Sequence, residues 1–381
     1  MSAYRIKLAL SDPYSWAKGI AALGLAYLLL VLILPAILSM QEEAHTVASL
    51  DLTPAMRTQV VEALADTVSR RYLDPEKAVQ IATALKQAER NGEYKDISSP
   101  GEFARLLTAE LVGSSSDQHM EVMFSPAEVP DFGDRTFPPP DKDELSPLAW
   151  LIDRLGRYMA DFGVEKVTQS DAGIAYLKLT GFVRPYLSAE KYAAAMDELA
   201  DSRALIIDLR NNGGGKRESV ALLASYFFDE PTHLSEVLAP RTGERLQMWT
   251  RKDIEGRHYG STRPVYILTS RATFSAGEDF AYTMQTRKRA IIVGERTRGG
   301  AHPIAPSRLN AHFLALIPVA ESISPLTHTN WEGVGVQPDI VVRAKYARKV
   351  ATAAILKQEL ATETDPARRI KIQAWLRAEQ D

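Results

Sequence analysis

Ser275, in the segment VYILTSRATFSAGE (residues 265–278), is the hydroxyl that the sequence places best for nucleophilic chemistry. It follows an apolar run of strand length, Val265 to Leu268, and precedes a helical start at Ala276, Gly277, Glu278, Asp279 and Phe280. A turn from buried strand into helix holds a side chain out of the core, and the N–H groups of the new helix face developing negative charge. The same residues also read as an ordinary N-cap, with Glu278 three positions on completing a capping box. A second break of this kind is ALIIDLRNNGGG (residues 204–215), where an apolar strand runs into Gly213, Gly214 and Gly215. Glycine admits positive φ and lets a substrate approach the backbone, so bare N–H groups there are the material of an oxyanion hole. A plain tight turn would use the same glycines. Asp208 and Arg210 are expected to fix that turn through hydrogen bonds or an ion pair.

A serine nucleophile needs a base, and the base needs an orienting carboxylate. Of the seven histidines, His119 stands out, because it follows Asp117 in a polar stretch that leads into Val122, Met123 and Phe124. Glu332, in NWEGVGV beside Gly333 and Gly335, is the candidate acid; a rim salt bridge is its commonplace alternative. Together these parts describe acyl transfer by a Ser–His–Glu arrangement, which requires no metal and no cofactor. The chain has no cysteine, which excludes a thiol nucleophile, a disulfide framework and a cysteine-ligated zinc site. Its net charge of −3 gives no reason to expect a nucleic-acid partner.

The elements that must position these residues follow from periodicity. Thr53-Pro54, Asp74-Pro75 and Ser99-Pro100 each pair an N-cap with proline at the first helical position, predicting three helices in a small domain over 51–125. Residues 126–147, with six prolines from Pro126 to Pro147, read as a linker, and Leu148–Phe162 as a helix. From Gly173 strands alternate with helices. Strands are expected at Ile174–Leu179, Leu205–Leu209, Val265–Thr269, Ala290–Val293, Phe313–Val319 and Ile340–Val342. Helices are expected from a Ser188 cap to Ala200, at Glu218–Phe228 and at Ala276–Gln285. That alternation implies an α/β core with a largely parallel sheet over 148–345, followed by C-terminal helices over 346–381.

The first residues are a separate matter. Gly19–Leu38 is an uncharged run of 20 residues, long enough to span a bilayer, with Arg5, Lys7 and Lys18 before it and Glu42 and Glu43 after it. The charge bias puts residues 1–18 in the cytoplasm and the rest outside it. The exit lacks a small-x-small pair, which favours an uncleaved signal anchor over a cleaved signal peptide.

Taken in order, DLRNNGGG, TFSAGEDFAYTMQTRKRAIIVGERTRGGA and NWEGVGVQPDI resemble the tail-specific (carboxyl-terminal processing) serine peptidase family. The likeness is to the branch of the interphotoreceptor retinoid-binding protein modules and, more distantly, the tricorn protease core. The resemblance implies a ClpP/crotonase-like spiral of strands and helices. It implies Ser275 as nucleophile and Glu278 in the acid position three residues later. It further implies an oxyanion hole from Ala276 N–H with Gly213 or Gly214, His119 from an Asp-x-His segment, and Glu332 from a Trp-Glu-Gly turn. Two departures stand out. Members with a Ser–Lys dyad carry the lysine 25 residues after the serine, where this chain has Gly300. The interval Ser125–Ala172 is also too short for the PDZ domain that such enzymes usually carry. The expected function is therefore a membrane-anchored, extracytoplasmic serine peptidase acting on peptide or protein substrates. The alternative is a non-catalytic module that binds apolar ligands or peptides, as the retinoid-binding relatives do. An esterase is disfavoured by the absence of G-x-S-x-G around Ser275.

Overall fold

A computed structural model describes residues 51–133, 136 and 161–379. The run Gly19–Leu38 and most of the proline-rich stretch lie outside them, as does the expected helix at Leu148–Phe162 except its last two residues, which enter a 3-10 turn. Among the described residues, no helix is long and apolar enough to cross a membrane.

The three proline-started helices form as the caps predict: α1 (Pro54–Arg71), α2 (Pro75–Arg90) and α3 (Pro100–Ser115). Thr53, Asp74 and Ser99 each accept a hydrogen bond from a backbone N–H of the first turn, satisfying donors that the helix itself cannot. α3 stops where Ser116 turns into the left-handed region, and the chain continues as strand β1 (Glu121–Phe124).

The α/β part runs β2 (Val164–Gln169), β3 (Ile174–Leu179), α4 (Pro185–Leu199), β4 (Ala204–Asp208), α5 (Arg217–Ala224), β5 (His233–Leu238), β6 (Arg245–Trp249) and β7 (Val265–Thr269). It continues with α6 (Ala276–Thr286), β8 (Ile291–Gly294), β9 (Ile304–Arg308), β10 (Phe313–Pro318), β11 (Glu321–Ile323) and β12 (Ile340–Val341). Helices α7 (Ala347–Thr362) and α8 (Pro366–Ala378) close the chain. Six strands form one sheet in the order β12-β8-β7-β4-β3-β2, parallel except at β2. Its central strands β4 and β7 are buried throughout, because helices cover both faces. Ala175, Leu177 and Leu179 face α4, α5 and α6, whereas Ile174 and Tyr176 face α7 and α8.

The expected element boundaries need correction in places. α4 begins at Pro185, not at a Ser188 cap; Ser188 is inside the helix, its hydroxyl turned back to Val183 and Arg184 carbonyls. α5 ends at Ala224 and tightens into a 3-10 turn over Ser225–Phe227. Phe313–Pro318 is a strand, but it belongs to a separate antiparallel sheet, β1-β10-β9; a third sheet, β11-β5-β6, was not expected. The first of these ties the amino-terminal helices to the core. β1 pairs with β10, and Phe313, Ala315 and Ile317 of β10 share one apolar cluster with α1, α2 and α3.

Candidate active site

Ser275 and the glycine loop meet beyond the carboxyl ends of β7 and β4, the edge at which open α/β sheets place their ligand sites. Ser275 has φ 53° and ψ −120°, a left-handed conformation that costs a non-glycine residue about 1–3 kcal/mol. Two buried residues hold it. Glu278, fully buried, accepts from Ser275 N–H (2.9 Å), Gly300 N–H (2.9 Å), Gly299 N–H (2.7 Å) and the Thr297 hydroxyl (2.5 Å). Burial raises the Glu278 pKa, and these four donors work against that rise. Asn212, also fully buried, donates to Leu179 O (3.2 Å) and accepts from Gly214 N–H (2.9 Å), while its own carbonyl accepts from Phe274 N–H (3.0 Å). Gly214 has φ 105°, and a Cβ there would lie 2.7 Å from the Ser275 Cβ, so this close approach requires glycine. Behind the turn, Asp208 and Arg210 form an ion pair (2.6 Å), and Tyr176 donates to Asp208 (2.6 Å).

His119 arrives from the amino-terminal part. The β1–β10 pairing places its segment against the core, and Asp117 Oδ1 accepts from the His119 backbone N–H (3.0 Å). Its imidazole stacks on Phe274, the residue before Ser275, with ring centroids 4.4 Å apart. Arg298 covers Phe274 at 4.7 Å. Among the described residues neither His119 nitrogen has a hydrogen-bond partner; Asp117 Oδ1 lies 3.9 Å from Nδ1. Burial pushes the imidazole pKa down to about 4 against the pull of Asp117, which leaves the ring neutral at pH 7.

Glu332 stands beside this ring without bonding to it. Its carboxylate accepts from Ala301 N–H (2.5 Å) and lies 3.5 Å from His302 Nδ1, which is 2.6 Å from Asp117 Oδ2. Burial opposes the His302 cation, but its bond to Asp117 and the field of Glu332 prevail and raise its pKa. Burial and the Asp117 charge push Glu332 up to about 7, although His302 counteracts them.

Residues 173–342 match the model of peptidase family S41, and residues 42–149 match that of the N-terminal domain of peptidase S41 in eukaryotic IRBP. The chain belongs to peptidase family S41. Among similar proteins, the carboxyl-terminal-processing peptidase 3 of Arabidopsis thaliana is 28% identical over 169 residues, covering 44% of this chain and 31% of that protein. The tail-specific protease of Haemophilus influenzae is 31% identical over 147 residues, covering 38% of this chain and 20% of that protein. The chain thus matches a third or less of the length of these two curated relatives. A lipoprotein structure from Streptococcus agalactiae shares the fold at TM-score 0.52 and 15% identity, over 79% of this chain and 96% of that one.

Against the S41 resemblance, position 300 is informative. A Cβ at Gly300 would lie 2.2 Å from Phe274 Cε2 and 2.5 Å from His119 Cε1, so the stacked rings leave no room for a side chain at this position. Of the expected oxyanion donors, Gly214 N–H is already given to Asn212, which leaves Gly213 and Ala276. The Ala276 N–H, first of its helix, has no intrahelical acceptor. Three residues of the site were not singled out from the sequence: Asn212, Phe274 and His302. Asn212 directly precedes the glycines, and His302 follows the Gly299-Gly300-Ala301 run, so adjacency to a glycine break was the available signal.

Proposed function

We propose that this chain is a serine peptidase that cleaves peptide or protein substrates through Ser275, His119 and Glu332. The observation that carries this reading is the stack of the His119 imidazole on Phe274, which brings a base from the amino-terminal helices next to a strained serine turn. In this mechanism neutral His119 takes the Ser275 proton as Oγ attacks the substrate carbonyl. The tetrahedral oxyanion receives hydrogen bonds from Gly213 and Ala276 N–H, each such donor lowering the barrier by about 2.7–4 kcal/mol. Asp117 and Glu332 stabilise the imidazolium, which then protonates the leaving amine, and water hydrolyses the acyl-enzyme. Asp208 and Glu278 hold the two turns and touch no substrate.

The uncharged run Gly19–Leu38 supports a signal anchor that keeps residues 1–18 in the cytoplasm and the peptidase in an extracytoplasmic space. Residues 51–125, 126–147, 148–345 and 346–381 then act as helical domain, linker, α/β core and C-terminal helices. Labelling with a fluorophosphonate probe tests the site. Wild type is expected to form an adduct on Ser275 and to hydrolyse an unfolded protein substrate; Ser275→Ala is expected to lose both while melting as a folded protein. A folded wild type without adduct or hydrolysis would favour the ligand-binding alternative.

A further inference from the structure

We propose that Asp117, His119, His302 and Glu332 form a binding site for one zinc-type divalent cation, and that filling it switches the serine site off. The switch rests on the peptidase reading above; the binding does not. His119 is the first observation. Its side chain is 7% exposed, yet neither ring nitrogen has a hydrogen-bond partner among the described residues. A buried polar group left so is destabilising, and a neutral imidazole is a common metal ligand. The second observation is what surrounds it. One donor atom each from Asp117, His119 and Glu332 lie within 4.8 Å of one another. His302, arriving ahead of β9, stands outside that trio but borders it, 3.5 Å from Glu332 and 2.6 Å from Asp117, and would join as a fourth donor by turning inward.

Two edges of the cluster come close to those of a zinc site. Bonds of roughly 2.0–2.2 Å to nitrogen and oxygen give a tetrahedron with edges of roughly 3.3–3.5 Å. His302 Nδ1 to Glu332 is 3.5 Å, and His119 Nδ1 to Asp117 is 3.9 Å. The Asp117–His302 contact must open by less than an ångström, and Glu332 must swing inward from Ala301 N–H. Two carboxylates balance the cation, and two imidazoles favour zinc over calcium or magnesium, which take oxygen ligands. Inhibition follows from the ring's inventory. A neutral imidazole bound to metal through one nitrogen carries its proton on the other, so neither nitrogen can accept the Ser275 proton.

The test uses chelator-stripped protein and Zn2+ alone. Calorimetry on wild type and Ser275→Ala is expected to show one equivalent bound by both, and Co2+ to give a tetrahedral absorption band that Zn2+ removes. Over the same concentrations Zn2+ is expected to suppress fluorophosphonate labelling of wild type. His302→Asn, and Glu332→Gln as a second variant, are expected to bind Zn2+ at least tenfold more weakly, with folding checked by circular dichroism. Folded Ser275→Ala that binds no Zn2+, or variants that bind it as wild type does, would overturn the site. Stoichiometric binding with unaltered wild-type labelling would overturn the switch. Binding by a wild type that never labels would keep the site and end the peptidase reading instead.

Discussion

At the scale of the residue, the backbone of Ser275 and the carboxyl of Asp279 make separate statements. Ser275 sits at φ 53°, and the hydroxyl cannot be what requires that angle, since Glu278 and Asn212 hold the chain on either side of it. Ser275→Gly and Ser275→Ala both remove the nucleophile, but only glycine relieves the strain. Ser275→Gly is expected to be more stable than Ser275→Ala by about 1 kcal/mol in urea denaturation, with neither variant labelled. Equal stabilities would show that the turn is unstrained. Asp279, one position after Glu278, is buried, and desolvation raises its pKa from 3.8 to about 6 against the Thr283 hydroxyl and the Arg217 charge. An acid with a raised folded pKa keeps its proton longer in the native state. Stability therefore falls as pH rises from about 4 to about 6, and the loss levels off above that at about 3 kcal/mol. Asp279→Asn is expected to exceed wild-type stability at pH 7.5 and to match it near pH 4; a gap independent of pH would refute the assignment.

At the scale of the element, the site is a contact between two loops clamped by one carboxylate. Glu278 joins the start of α6 to the loop Thr297–Gly300, and that loop carries the flat floor on which His119 and Phe274 stack. Gly300 has ordinary φ, so its need is steric alone. Gly300→Ala is expected to displace the stacked rings and lower kcat/KM by tenfold or more while leaving the Ser275 turn intact. Wild-type kinetics in that variant would mean that the stack plays no part. These elements were legible to different degrees. β3, β4, β7 and α6 are continuous apolar runs with sharp polar ends, so pattern alone places them. β1, β6 and β9 are short and half-exposed, with burial alternating or nearly absent, and a run such as Arg245–Trp249 offers only Leu246 and Met248 on its apolar face, too little to set it apart from a loop. His119 is placed by the pairing of β1 with β10 and His302 sits just ahead of β9, which is why His302 was not read from the chain as a neighbour of His119. Glu332 was found through its glycine-flanked turn, but its neighbours Ala301 and His302 are set by a crossing that local sequence does not encode.

At the scale of the whole molecule, Ser275 and His119, the proposed nucleophile and base, lie 156 residues apart in the chain, and a strand pairing unites their segments. β1 adds to β10 in register from Glu121–Leu316 to Phe124–Phe313, and Phe103 and Phe124 both lie against Phe313, at 6.1 and 5.4 Å between ring centroids. The helices α1–α3 thus share their core with β10, and cutting the chain between the two parts would bare Phe313, Ala315 and Ile317 together with an unpaired strand edge. A fragment of residues 126–381 is expected to aggregate when expressed alone, because among the described residues it is α1–α3 that cover that face. Co-expression with a separate 51–125 segment is expected to restore soluble protein and, since His119 returns with it, fluorophosphonate labelling. Labelling should then fall when the added segment carries His119→Ala, although solubility is kept. A fragment that is soluble and labelled without its partner would show that the base lies within the α/β part, and that the union of two chain segments around Ser275 is structural only.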